Sequence, residues 1–242
     1  MTVTRRVTVT RFRGSGTVSK MRRLRRLLVC VLLLASLALS ATAAATHQDP
    51  QKRLTKADNA RARAMLIKRT DLPAGFQARP DVGEDPHSNC PAAVSESDLT
   101  LTGEADGTNF ALGVVLVDSA AQVYKSMADA NASWRRATSA AGVQCVTALL
   151  RGGLATQGVD LESLRKIAFP RVSDRSVAYR VRLSAPSAQG PVPVYLDLVA
   201  LMHSRAQATV IVGSALVVPK RGDELRYARL VAARMTRAMR GA

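Results

Sequence analysis

The clearest pattern in the chain is the alternation of apolar and polar residues in its last third. Between residues 177 and 183, apolar residues alternate with Arg180 and Arg182, which predicts a half-exposed strand. Residues 192–200 alternate in the same way, and the Pro- and Gly-containing segment 186–190 predicts the turn between the two strands. Residues 209–218 are nearly all apolar, which is typical of a central strand.

Weaker patterns predict the rest of the domain. Strands are expected over residues 99–103, 108–118 and 164–169. Thr55 can cap a helix that ends before the Leu72-Pro73 pair, because the residue before proline is pushed out of the α region. The packing face of this helix is predicted to consist of Ala57, Ala60, Ala64 and Ile67.

Three more helices complete the predicted order. One begins at Asp118 or Ser119 and runs to about Ala137, a second spans residues 142–150, and the last spans residues 223–239. The first of these is expected to bury a stripe formed by Val123, Met127, Ala130 and Trp134. The order α-β-β-α-α-β-β-β-β-α with short connections predicts an α+β fold, in which helices pack on an antiparallel sheet of five to six strands.

Residues 21–45 have the three parts of an export leader. Arginines between Met21 and Arg26 form a positive region, Leu27 to Leu39 is an apolar core, and Ala41 to Ala45 offers small-residue cleavage sites. The alternative is an uncleaved anchor formed by residues 27–45, with the domain outside. We expect residues 1–20 to be an unstructured extension or to precede the true start at Met21, 46–54 to be flexible, and 55–242 to form one domain.

The leader changes how the composition is interpreted. The chain has 35 Lys and Arg residues against 18 Asp and Glu, a net charge of +17. Nine of the basic residues and none of the acidic ones precede residue 45, which leaves 26 basic against 18 acidic residues, or +8. No interleaving of basic and aromatic residues appears, so nucleic acid is not an expected partner.

The leader also changes the number of cysteines in the exported chain. Cys30 lies inside the leader, so an exported chain keeps Cys90 and Cys145, and an oxidising compartment favours a disulfide between them. Two buried thiols or a redox pair are the alternatives. A redox pair is disfavoured because the chain contains no C-x-x-C motif.

Two polar surfaces are candidates for binding. If Val181 pairs with Val194, the opposite, outer face of the sheet carries a patch able to hold an anionic group, formed by Arg180, Arg182, Tyr195 and Asp197, with His203 as an extension. An ordinary exposed ion pair is the alternative. The last helix has one strongly basic face, which consists of Arg226, Arg229, Arg234, Arg237 and Arg240. A solvated face of a core-packed helix is the alternative there.

Sequence patterns for catalysis are weak. There is no G-x-S-x-G motif, and nothing places a serine beside His87 or His203. The acidic run that ends at His87 lacks the spacing of a metal site and is expected to be a solvated loop. No nucleotide-binding fingerprint occurs in residues 46–242. We therefore expect no catalytic residues, no metal and no cofactor.

Several short motifs together resemble a known family. They are Asp71-Leu72-Pro73-Ala74-Gly75-Phe76, Cys90-Pro91, Leu101-Thr102-Gly103-Glu104-Ala105, and Val123-Tyr124-x-Ser126 with Ala130 ahead of Cys145. Over roughly residues 72–239 the chain resembles the extracellular sensor domain of actinobacterial serine/threonine protein kinases and its stand-alone exported relatives. The resemblance implies a disulfide-bonded α+β module that binds an extracellular ligand. The chain differs in having no kinase domain before its apolar segment and one cysteine pair instead of two disulfides.

These observations predict an exported, extracytoplasmic module of a high-GC bacterium, sensor-like and non-catalytic. Its expected partner is a small molecule or an envelope component, with peripheral contact to membrane or cell wall, and the module is expected to be monomeric. One alternative is a secreted hydrolase that acts on envelope material. Another is a structural envelope protein held by its basic C-terminal helix.

Overall fold

The computed structural model describes residues 49–79 and 94–241. Within them four α-helices are formed: α1 Lys56–Met65, α2 Met127–Thr138, α3 Ala140–Ala155 and α4 Arg221–Ala238. The strands are β1 Gln51–Lys52, β2 Gln77–Arg79, β3 Thr100–Asp106, β4 Asn109–Leu112, β5 Val115–Tyr124, β6 Asp160–Ile167, β7 Arg175–Ala185, β8 Val192–His203 and β9 Ala206–Ala215. The expected α+β class is confirmed for this part of the chain.

One sheet joins all these strands. Its order is β1-β3-β5-β9-β8-β7-β6, and β4 pairs with both β2 and β5. Every pairing is antiparallel except that of β1 with β3. The expected count of five to six strands is wrong, since nine are present in the described residues. The additional strands have only two to four residues, which is too short for an alternation to be recognised.

Helices cover both faces of the sheet. On one face Leu196 of β8 packs with Leu150 and Leu154 of α3, and Met202 packs with Trp134 of α2. On the other face Val199 and Leu201 pack in a cluster with residues of α1 and α4. The face of β8 expected to be outer is therefore buried as well, which is why this long strand contains so many apolar residues.

The expected helix from Asp118 or Ser119 is wrong at its start. Residues up to Tyr124 belong to β5, because β9 pairs with β5 along Val115 to Val123. The helix α2 begins at Met127, where the Ser126 side chain accepts a hydrogen bond from the Asp129 backbone. Val123 consequently lies in the core between sheet and helices, and Met127 is 57% exposed.

Helix α1 has the predicted cap but a different packing face. The Thr55 hydroxyl accepts a hydrogen bond from the Asp58 backbone at 3.0 Å. The buried residues are Asp58, Ala62 and Met65, whereas the predicted alanines at 57, 60 and 64 are exposed. Asp58 can be buried because the Arg205 guanidinium bonds both of its carboxylate oxygens, at 2.8 and 2.9 Å.

A glycine in β3 permits the close approach of α1 to the sheet. A Cβ atom on Gly103 would lie 2.4 Å from the backbone carbonyl of Asp58. This contact gives a packing reason for the glycine in the segment Leu101-Thr102-Gly103.

Some expectations lie partly or wholly outside the described residues. Cys145 is buried on α3, but Cys90 is not described, so the disulfide stays a prediction. The leader and the acidic run ending at His87 also lie outside. Gln51 and Lys52, expected in a flexible segment, form β1. Among the helices that are described, none is both long and apolar enough to cross a membrane.

Candidate binding surfaces

Two of the predicted ligand residues form a buried ion pair. Arg180 on β7 lies directly opposite Asp197 on β8, because Val181 pairs with Leu196 and not with Val194 as expected. The Arg180 Nε and Nη2 atoms contact the two Asp197 carboxylate oxygens at 2.7 and 2.5 Å. Asp197 has no exposed surface. The Arg180 side chain is partly exposed, so the pair is largely covered and does not form an open patch on an outer sheet face.

The first turn of α4 supplies a second pair next to the first. Glu224 is also completely buried, and its Oε2 atom lies 3.0 Å from the Arg221 Nη1 atom. Its Oε1 atom lies 3.7 Å from the Arg180 Nη2 atom. The Arg221 guanidinium stacks 4.5 Å from the centre of the Phe169 ring and donates a hydrogen bond to the Ala168 carbonyl. We call these four charged residues of β7, β8 and α4 the four-charge cluster.

Glu224 holds a proton more readily than an ordinary carboxyl group. Burial and the neighbouring Asp197 carboxylate raise its pKa to about 7. The Glu224 Oε1 atom is buried and has no hydrogen-bond partner among the described residues. A proton on this atom would let it donate to the neighbouring Asp197 carboxylate, since two ionised carboxylates offer each other only acceptors. Glu224 therefore exchanges its proton near neutral pH.

The other two predicted residues lie outside this cluster. Arg182 is half exposed and contacts Glu162 of β6 at 2.5 Å. Its guanidinium lies 6.0 Å from the centre of the Tyr195 ring, to which it is paired across the strands. His203 contacts Asp174 at 3.1 Å, at the far end of β8. The predicted patch therefore divides into a buried pair and an ordinary exposed ion pair.

The basic face of α4 is smaller than the sequence indicated. Arg234 is turned toward the loop after α1, where it contacts both Asp71 carboxylate oxygens at 2.7 and 2.8 Å and the Leu66 carbonyl. Arg226 stacks on the Tyr227 ring at 4.5 Å and stays exposed. The other exposed arginines of the face are Arg229, Arg237 and Arg240. A sequence pattern cannot separate these two groups, because helical spacing alone does not show where a neighbouring loop passes.

An apolar surface closes one end of the sheet. It is formed by Leu112 at the end of β4, which is 42% exposed, and by Leu216, Val217 and Val218 after β9, which are 50%, 61% and 44% exposed. We call these four residues the apolar end. The Ala215 N–H bonds the Val114 carbonyl, which joins the two segments. Exposed apolar clusters of this kind mark interaction sites.

Sequence reasoning missed both the apolar end and half of the four-charge cluster. Residues 216–218 were expected to continue a central strand, but β9 ends at Ala215. Glu224 precedes the buried Ala228 by four residues, so helical spacing already put a carboxyl group on the packing side of α4. An acidic residue at a position that helical spacing puts on the packing side is the sequence signal that could have indicated the cluster.

Few of the described residues are candidates for metal binding or catalysis. Over residues 49–79 and 94–241 no three His, Cys, Asp or Glu residues converge in a metal-binding arrangement. The buried carboxyl groups of Asp58 and Asp197 are bonded to arginine, and that of Asp71 is bonded to Arg234. Such pairs act chiefly in the fold, by joining elements that are distant in sequence.

Comparisons with known proteins leave the family open. No protein-family model matches the chain. No curated protein matches it either. Among solved structures, the extracellular domain of PknH from Mycobacterium tuberculosis is similar over 74% of this chain and 96% of that domain, with 9% identity and a TM-score of 0.38. A likeness this distant assigns neither a family nor a function.

Proposed function

We propose that this chain is an exported, extracytoplasmic binding module of the sensor type, which acts without catalysis. The leader pattern of residues 21–45 supports export. The apolar end is the observation that carries the binding function. It presents four large apolar side chains to solvent at one end of the sheet, whereas the other exposed large apolar residues among those described, Leu54 and Met127, lie on separate segments.

The arrangement of the polar residues supports the same proposal. Arg180 and Asp197, the best polar ligand candidates of the sequence, hold β7 to β8 beneath α4. Asp197 has no exposed surface, and the Arg180 side chain is only 19% exposed beside Glu224 of the first turn of α4. The apolar end, in contrast, is exposed on four side chains.

A dye-binding measurement tests the proposal. The purified exported protein is titrated with anilinonaphthalene sulfonate, whose fluorescence rises on apolar surfaces, and is compared with Val217→Asp and Met127→Asp. Met127 is the matched control, since it is 57% exposed on α2, away from the apolar end. We expect Val217→Asp to lose most of the signal and Met127→Asp to keep it. Equal signals from all three proteins would refute the proposal.

A second candidate function rests on the exposed arginines of α4. Arg229, Arg237 and Arg240 support attachment to an anionic envelope polymer by charge. In that case the triple change to glutamine releases the protein from the envelope fraction, and so does a rise from low to high salt. Retention of the triple variant at every salt concentration would exclude this function.

A further inference from the structure

The two ends of the sheet differ in charge. The loops at the apolar end are residues 112–114, 156–159, 186–191 and 216–220, and Lys220 is their single charged residue. The loops at the opposite end are residues 53–55, 125–126, 168–174 and 204–205, and they carry Arg53, Lys125, Arg171, Asp174 and Arg205. Arg221 of α4 and Asp160 of β6 border the apolar end, so it is the loops of the two ends that differ in charge, with one charged residue against five in these segments.

The backbone at the apolar end turns its side chains outward under strain. Leu216 has φ of 76°, in the left-handed region that a bulky side chain rarely adopts. Its N–H bonds the Pro193 carbonyl at 2.8 Å, which holds the chain against the start of β8. Val217 and Val218 follow and are both exposed. Strain that keeps apolar residues in solvent is expected where those residues bind something.

The size and charge of the apolar end indicate what covers it. Four side chains at about half exposure offer roughly 300 Å², against about 800 Å² per partner in a stable protein interface. A second copy of the chain would therefore bind too weakly at this surface alone. A bilayer needs less, because a few apolar side chains can enter the boundary between head groups and acyl chains.

Resting on the proposed function, we infer that the apolar end docks on the surface of a lipid bilayer. Leu216, Val217 and Val218 enter the interface with Leu112 beside them, and Lys220 lies at the level of the phosphates. Lys220 and Arg221 are offset by Asp160, the first residue of β6, and by Asp223 in the first turn of α4, so the net charge at this end is small. Docking should therefore depend little on salt or on anionic lipid, in contrast to binding through the arginines of α4.

Vesicle flotation tests the inference. The purified exported chain is mixed with vesicles of phosphatidylcholine alone, and of phosphatidylcholine with phosphatidylglycerol, at low and high salt. The variants are Val217→Asp, the matched control Met127→Asp, and the triple change of Arg229, Arg237 and Arg240 to glutamine. Circular dichroism and thermal unfolding confirm that each variant is folded.

We expect the wild-type chain, Met127→Asp and the triple variant to float with both vesicle types at either salt concentration. Val217→Asp should lower the partition coefficient by about tenfold or more, because a charge replaces apolar surface in the interface. A second variant, Val217→Trp, should shift its emission to shorter wavelength with vesicles, and Met127→Trp should not.

Three results would overturn the inference. If no protein floats but the dye signal still depends on Val217, the apolar end binds a partner other than a bilayer and the proposed function is retained. If Val217→Asp abolishes a concentration-dependent dimer in sedimentation, the surface serves self-association. If flotation is lost in the triple variant or at high salt and kept in Val217→Asp, the arginine face binds the lipid. Failure of the dye test instead removes the proposed function itself.

Discussion

Replacement of Glu224 by glutamine should remove a pH dependence of stability. Glu224 is completely buried, and burial together with Asp197 raises its pKa from an ordinary 4.5 to about 7. Glutamine has nearly the same shape, can donate a hydrogen bond to Asp197 and can accept one from Arg221, but it cannot ionise. The variant therefore keeps position 224 uncharged at every pH.

The direction of the pH dependence of stability follows from proton binding. The pKa of Glu224 is higher in the folded than in the unfolded chain, so between pH 4.5 and about 7 the folded chain binds more protons. The stabilisation by this group is complete below the lower value and is lost as the pH rises through the upper one. The interval corresponds to about 3 kcal/mol in the free energy of unfolding. Wild type and variant should be similar at pH 5, and the variant should be more stable at pH 8.

Urea unfolding between pH 5 and pH 8 provides the measurement. Trp134 is the only tryptophan and is 8% exposed, so its fluorescence reports global unfolding. The difference between wild type and Glu224→Gln cancels the other titrating groups. Asp223→Asn is the matched control, since this neighbouring side chain is 48% exposed, and it should leave the slope unchanged. A variant that is less stable than wild type by a constant amount at all pH values would refute the reasoning, because Glu224 would then act as a carboxylate.

Three further predictions use the same unfolding measurement. Arg234→Gln should cost about 2 kcal/mol by breaking the buried contact with Asp71, and the exposed Arg237→Gln should cost less than about 0.5 kcal/mol. Gly103→Ala should cost about 2 kcal/mol or more by its clash with α1, whereas Gly152→Ala, with open space inside α3, should stabilise by about 0.5 to 1 kcal/mol. Similar losses within either pair would contradict these assignments. If Cys145 is bonded to Cys90, Cys145→Ser should lower the free energy of unfolding by about 2 to 5 kcal/mol relative to wild type under non-reducing conditions. Under reducing conditions, wild type and variant should be equally stable. An equal loss in both conditions would exclude the bond.

The fold class could be predicted from sequence because long periodic segments are unambiguous. The strands β7, β8 and β9 and the helix α4 were located within a few residues, since each repeats its pattern over ten residues or more. The start of α2 could not be located in the same way. The segment Ser119-Ala120-Ala121 is compatible with a helix, and only pairing with β9 makes it a strand.

The candidate site was predicted less well than the fold, for a different physical reason. A register error of two residues leaves the buried face of a strand unchanged but alters every cross-strand partner. The sequence therefore placed Arg180 and Asp197 on one face but paired Arg180 with Tyr195. It also could not show that α4 covers that face, because the partner of an amphipathic helix is set by tertiary packing.

The polarity of the sheet connects bilayer docking to the processing of the leader. The chain enters at the charged end, where Gln51 and Lys52 pair with β3, and the apolar end lies about ten strand residues, or roughly 33 Å, away. A retained anchor at residues 27–45 would hold the charged end at the membrane and turn the apolar end away from it. Docking through Val217 therefore requires a cleaved leader, with a mature chain that begins close to residue 46. Intact mass spectrometry of the exported protein reports this start, and a mass that retains residues 27–45 would be incompatible with docking on the same membrane.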